Sequence, residues 1–79
     1  MIKNWQSFNE SIKSGICTCK VAPMGKEGLE GFIENDEYKY EFIDVKGKGY
    51  YRVYHEDDYY EVCGPKIFIR YFKIKQEIE

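Results

Sequence analysis

From Ile16 to Ile74 short runs of alternating apolar and polar residues are interrupted about every eight to twelve residues by glycine, proline or acidic clusters, the rhythm of an all-β protein. Ile16-Cys17-Thr18-Cys19-Lys20-Val21 has a period of two and predicts a strand. Pro23 to Gly28 breaks it, and Leu29 to Glu34 is the next run, reversed at Asn35-Asp36 into a strand over Tyr38 to Val45. Tyr38, Tyr40 and Phe42 fall on one face of that strand, with Lys39, Glu41 and Ile43 on the other. Lys46-Gly47-Lys48-Gly49 reads as a turn, Tyr50 to His55 as a strand, Glu56-Asp57-Asp58 as a turn and Tyr59 to Cys63 as the next strand. Alternation assigns Tyr51, Val53, Tyr60 and Val62 to the core. Gly64-Pro65 stops the run, since proline cannot donate to a ladder. Lys66 to Arg70 reads as one 3₁₀ turn or the start of a long final strand, Tyr71 to Ile74 closes the sheet, and Lys75 to Glu79 frays.

The start of the chain has a different period. Trp5, Phe8 and Ile12 stand at i, i+3 and i+7, which predicts a short amphipathic helix with Asn4 as N-cap, Ser7 and Glu10 as a second capping choice, and Gly15 as the left-handed stop. A helix so short needs its apolar stripe docked, on the sheet or on a partner. The expected architecture is therefore mainly β: a small barrel or curled antiparallel sheet of five to six strands with one N-terminal α-helix. Residues 1–79 form one domain, divided into a helix at 1–15, a barrel at 16–75 and a frayed tail at 76–79.

Charge narrows the choice of partners. Twelve Lys and Arg against fourteen Asp and Glu give a net charge of −2, so no global field draws the chain to nucleic acid or to an acidic membrane. No run is apolar enough to span a bilayer, and no charged segment leads into a signal-type apolar one, which predicts a cytoplasmic protein. In that compartment Cys17, Cys19 and Cys63 are expected as reduced, half-buried thiols. With His55, the single histidine, they also make a conceivable Cys₃His metal set, although C-x-C lacks the paired knuckles of most structural zinc sites; no cofactor is expected.

Catalytic signals are sparse. Gly25-Lys26-Glu27-Gly28 has neither the context nor the ending of a phosphate loop. The carboxylate pairs Asp57/Asp58 and Glu34/Asp36 lie at hairpin turns, and Cys63 with His55 is the one nucleophile and base combination. A barrel of 79 residues leaves little room for a substrate pocket, and a non-catalytic protein is expected.

From Gly31 to Ile74 the order is strand, acidic turn, two strands joined by Gly-Lys-Gly, Tyr59-Tyr60-Glu61-Val62, then Gly64-Pro65-Lys66 and an apolar closing strand. This resembles the small SH3-like barrel, in which a 3₁₀ turn often precedes the last strand, and more loosely short phage and bacterial proteins built from Tyr-rich strands and acidic turns. The resemblance implies architecture only. The Trp and Ala-Leu-Tyr-Asp-Tyr segment of proline-binding SH3 domains are missing, so PxxP recognition is not implied.

Function is then expected from surface aromatics. Seven of the eight tyrosines lie between Tyr38 and Tyr60, and Tyr40, Tyr50, Tyr54 and Tyr59 are assigned outward. Together with Arg52 and the acidic turn residues Asp57 and Asp58 they form the candidate partner-binding set. The leading expectation is a protein-interaction module, in its most concrete form a phage-encoded inhibitor of a host protein acting in the host cytoplasm. The second is a nucleic-acid-binding barrel that stacks bases beside cations, through Lys48, Tyr50, Arg52 and Tyr54 or through Arg70, Tyr71 and Lys73.

Overall fold

The computed structural model describes residues 10–56 and 58–78. Five strands, β1 (Glu10–Cys19), β2 (Glu37–Val45), β3 (Lys48–Tyr54), β4 (Tyr60–Cys63) and β5 (Phe72–Ile78), form one antiparallel sheet in the order β4-β3-β2-β1-β5. A two-turn helix, α1 (Pro65–Tyr71), leads directly into β5, and a 3₁₀ turn at Lys26–Gly28 sits in the long β1–β2 connection. The sheet is open, with β4 and β5 as its edges, so the closed-barrel alternative does not apply. No helix among the described residues is long and apolar enough to cross a membrane.

The N-terminal helix expected over residues 4–15 is corrected from Glu10 onward. Glu10 to Thr18 pair with Val45 to Glu37 of β2, and Ser14 to Cys19 pair on the other side with β5. Ile12, Ser14 and Ile16 alternate with Lys13, Gly15 and Cys17, and a ladder on both sides satisfies the backbone where a short isolated helix would fray. Asn4, Trp5, Ser7 and Phe8 lie outside the described residues. Gly15 is therefore no helix stop. A Cβ there would fall on the Gln76 carbonyl oxygen and come within 2.9 Å of both Glu77 Cα and Tyr40 Cε2, so this central strand needs a residue without a side chain.

Leu29 to Glu34, expected as a strand, is irregular. Leu29 and Phe32 are buried and pin the loop over the sheet, while the Asn35 and Asp36 backbones bond to Cys19 and cap the end of β1. The β2–β3 hairpin turns on Lys46-Gly47 alone, with φ of 54° and 82°; Lys48 and Gly49 already belong to β3. Positive φ at both turn residues is the type I′ signature, which glycine meets at Gly47 without steric cost.

Three further corrections concern the C-terminal third. Lys66 to Arg70 is neither a 3₁₀ turn nor a strand but part of α1, started by Pro65 at its first position and by the Phe68 N–H donating to Gly64 O at 2.9 Å. Lys75 to Ile78, expected to fray, continue β5 beside β1. Tyr60 and Val62, assigned to the core, face the opposite way. Tyr60 pairs with Tyr54 and Val62 with Arg52, so Glu61 and Cys63 take the core side with Val53 and Tyr51.

The main core cluster lies on one face of the sheet, while Ile43, also fully buried, is on the other. Cys17, Cys19, Tyr40, Val53, Cys63 and Phe72 meet Phe68 and Tyr71 of α1 and Leu29 and Phe32 of the loop, with Tyr51 packed against them. Tyr51 and Phe68 stack with centroids 3.8 Å apart and planes 5° from parallel, which fixes α1 over β3. Phe32 makes edge contacts with Tyr38, His55 and Phe72. Helix and loop, rather than β4–β5 pairing, cover this face.

Candidate functional site

The opposite, outer face carries the aromatic and charged residues of β2, β3 and β4. Strand register sets them in rows: Glu41, Arg52 and Val62 in one, Lys39, Tyr54 and Tyr60 in the next. The Tyr54 hydroxyl donates to Glu41 Oε1 at 2.9 Å, and Arg52 Nη1 donates to the same oxygen at 3.4 Å. The Arg52 guanidinium lies 5.1 Å from the centre of the Tyr60 ring, Lys39 Nζ lies 5.2 Å from that of Tyr54, and the two rings meet at 5.1 Å. Burial pushes the Tyr54 phenol above its ordinary pKa, and the hydrogen bond to Glu41 adds to this while Arg52 opposes it. The phenol stays a neutral donor and the carboxylate its acceptor, so the cluster is ordered before anything binds.

Within the cluster Tyr60 is 41% exposed and beside it Val62 52%; at the β3–β4 bend Tyr59 (65%) sets its ring near-parallel to that of His55 at 6.5 Å, on the side of Glu61. Tyr50 continues the face, half-buried beside Ile43, and Lys48 stands exposed at its end. Tyr50, Arg52 and Tyr54 thus fall on one surface, while Tyr59, whose ring lies against His55 on the side of Glu61 and Phe32, and Tyr40 do not. At 1% exposure Tyr40 belongs to the core, and its outward assignment is corrected; its ring needs the space that Gly15 leaves. Asp58 is exposed at the bend, and Asp57 lies outside the described residues. Tyr60 and Val62 are the surface residues that sequence reasoning misplaced. The available signal was Cys63, a residue type that prefers burial and shares its strand face with Glu61.

The other candidate constellations are not assembled. Cys17, Cys19 and Cys63 are buried free thiols on the core face, while His55 Nε2 lies 3.4 Å from Glu61 Oε2 and its ring packs on Phe32. Among the described residues no group of three or more His, Cys, Asp or Glu is placed to hold a metal ion. Cys63 pairs with Tyr51, four residues along β3 from His55, a separation of roughly 13 Å in a strand that leaves nucleophile and base apart. Burial pushes the Cys17 thiol up to about 12, with Cys19 and Cys63 nearby adding to it, and the Cys63 thiol up to about 11, values that suit inert core residues. Of the second cationic set, Tyr71 is buried and Arg70 Nη1 bonds Glu27 Oε2 at 3.2 Å, so Arg70, Tyr71 and Lys73 form no stacking surface.

Comparison of the chain with protein-family models, with curated proteins and with solved structures found no match.

Proposed function

We propose that this chain is a non-catalytic protein-interaction module that binds its partner through the outer face of β2, β3 and β4. Tyr54, Tyr60 and Arg52 form the centre, and Tyr50 and Val62 the surround. The observation that carries this reading is the anchored cluster: one Glu41 oxygen accepts from both Tyr54 and Arg52, and the guanidinium covers Tyr60. Rigid aromatic area with its polar tips already fixed loses little conformational freedom on binding, and Tyr and Arg dominate binding hot spots. The SH3-like reading of the architecture is supported by the succession of three consecutive hairpin-linked strands, a short helix that starts at Pro65 and a closing strand. An inhibitor of a host protein is the form of this function that the compact module and its acidic bend suit best.

A nucleic-acid reading draws on the alternation of Lys48, Tyr50, Arg52 and Tyr54 along this same face. Glu41 weighs against it, because the central guanidinium is already matched by a carboxylate where a phosphate would have to sit. Affinity capture from bacterial lysate with the full chain, beside a Tyr54→Ala/Tyr60→Ala variant and a nuclease-treated arm, separates the two. A protein retained in near-equal amount, resistant to nuclease and lost with the variant, is expected. Nucleic acid alone, released by salt, would replace this reading with the second.

A further inference from the structure

The β5 edge has features that the outer-face reading does not use. β5 is the outermost strand beyond β1, so one side of its backbone faces away from the sheet. Beside it opens a cavity of about 290 Å³ between β5, α1 and β3, with Tyr51, Phe68, Phe72 and Ile74 as apolar lining and Lys20 and Lys73 as its charges. Lys20 is held there by donating to Ile69 O at 2.6 Å. On the other side of the same strand a second recess is lined by Thr18, Glu37, Lys73, Ile74 and Lys75, with Lys75 ion-paired to Glu37. An extended segment added to a sheet edge sends alternate side chains to the two faces, so this edge offers a mainly apolar socket to one set and the Lys73 ammonium to the other.

We propose that β5 is a docking edge for an extended segment of a partner protein in which apolar and acidic residues alternate. The segment pairs with the β5 backbone, an apolar side chain enters the cavity beside Ile74, and a carboxylate meets Lys73, since Lys75 is already paired with Glu37. Charge complementarity selects this partner, since Glu37 is taken up by Lys75, and Lys20 and Lys73 have no carboxylate partner among the described residues. A second copy of the chain fits less well. Pairing β5 with itself about Gln76 sets Ile74 opposite Ile78 and Lys75 opposite Glu77, but the bulge at Lys75 breaks the alternation. Ile74 pairs with buried Cys17 on the core side, whereas Ile78 pairs with Ser14, the neighbour of Glu41, on the outer side. Side chains that would have to meet therefore lie on opposite faces, and the bulge guards the edge against self-pairing.

The test is an amide NMR titration of the isotope-labelled full chain with a synthetic peptide of about seven residues alternating glutamate and valine. Its counterpart with lysine in place of glutamate is the control. Shifts concentrated on Phe72 to Ile78 and on Lys20 are expected, with no response to the lysine peptide. Lys73→Glu, a change at an exposed position, is expected to weaken binding by at least about tenfold, while Lys46→Glu at the distant hairpin turn leaves it unchanged. The proposal is overturned if neither peptide binds at millimolar concentration, if both bind alike, or if the shifts fall on Tyr54 and Tyr60 instead. It is equally overturned if sedimentation shows that the chain alone dimerises and Lys73→Glu abolishes the dimer.

Discussion

The ring of Tyr40 lies against the backbone of Gly15, its directly paired neighbour on β1, so closely that a methyl group at Gly15 would stand 2.9 Å from Tyr40 Cε2. A fully buried tyrosine is accommodated in the middle of the sheet because the residue beside it has no side chain. Gly15→Ala is expected to cost about 2–3 kcal/mol through overpacking, read as a lower denaturant midpoint with an unchanged slope. Gly64→Ser, where a new Cβ meets nothing within 4 Å, is expected to change stability by no more than about 0.5 kcal/mol.

The Lys46-Gly47 turn sets the register of the β2–β3 hairpin, and with it the outer-face rows. Gly47→Ala places a Cβ in left-handed backbone and is expected to cost about 1–2 kcal/mol, whereas Lys46→Asn suits the same geometry and is expected to gain up to about 1 kcal/mol. Thermal melts of the two variants beside the parent check both signs.

Alkaline instability follows from the core thiols. Burial raises Cys17 from 9.0 to about 12 and Cys63 from 9.0 to about 11, so the folded chain keeps protons that the unfolded chain releases. The corresponding stability is complete below about pH 9 and is lost as the pH rises through the folded values. Buried Tyr40 and half-buried Tyr51, also pushed up by burial, add to the loss above about pH 10. Denaturant midpoints measured from about pH 8 upward are expected to fall, and Cys17→Ala, less stable throughout, is expected to fall less steeply with pH. A thiol reagent is expected to react with all three cysteines only on unfolding.

Glu41 is expected to act on Tyr54 as an acceptor. With Glu41→Gln the negative charge that holds the phenol proton is gone, and Tyr54 should ionise at lower pH, although burial still keeps it above an ordinary tyrosine. Ultraviolet titration of the two proteins compares the onset of tyrosinate formation. An unchanged onset would mean that the hydrogen bond does not exist in solution.

Much of the sheet was legible because its signals are local. Tyr38 to Val45 alternates, Lys46-Gly47 marks its turn, and Gly64-Pro65 marks a boundary wherever it occurs. The misread elements depend on partners distant in sequence. Ile12 fits a helical stripe with Trp5 and Phe8 as well as it fits a strand with Ser14 and Ile16, and pairing with β2 and β5 decides the matter for Glu10 to Gly15. Ile67, Phe68 and Ile69 look strand-like, yet Pro65 at the first helical position and the spacing of Phe68 and Tyr71 make one face of α1. Of the candidate site, Tyr50, Arg52 and Tyr54 followed from alternation along β3. Tyr60 and Val62 did not, because the facing of a four-residue edge strand is set by its register against β3, which the sequence alone does not print.

The most direct test of the outer-face account is backbone amide exchange of the full chain, free and bound to the protein captured from lysate. The account predicts slowed exchange along Arg52 to Tyr54 and Tyr60 to Val62 in the complex, with the amides of Lys66 to Tyr71 unchanged. Protection confined to α1 and β5, or failure to capture any protein through Tyr54 and Tyr60, would contradict it.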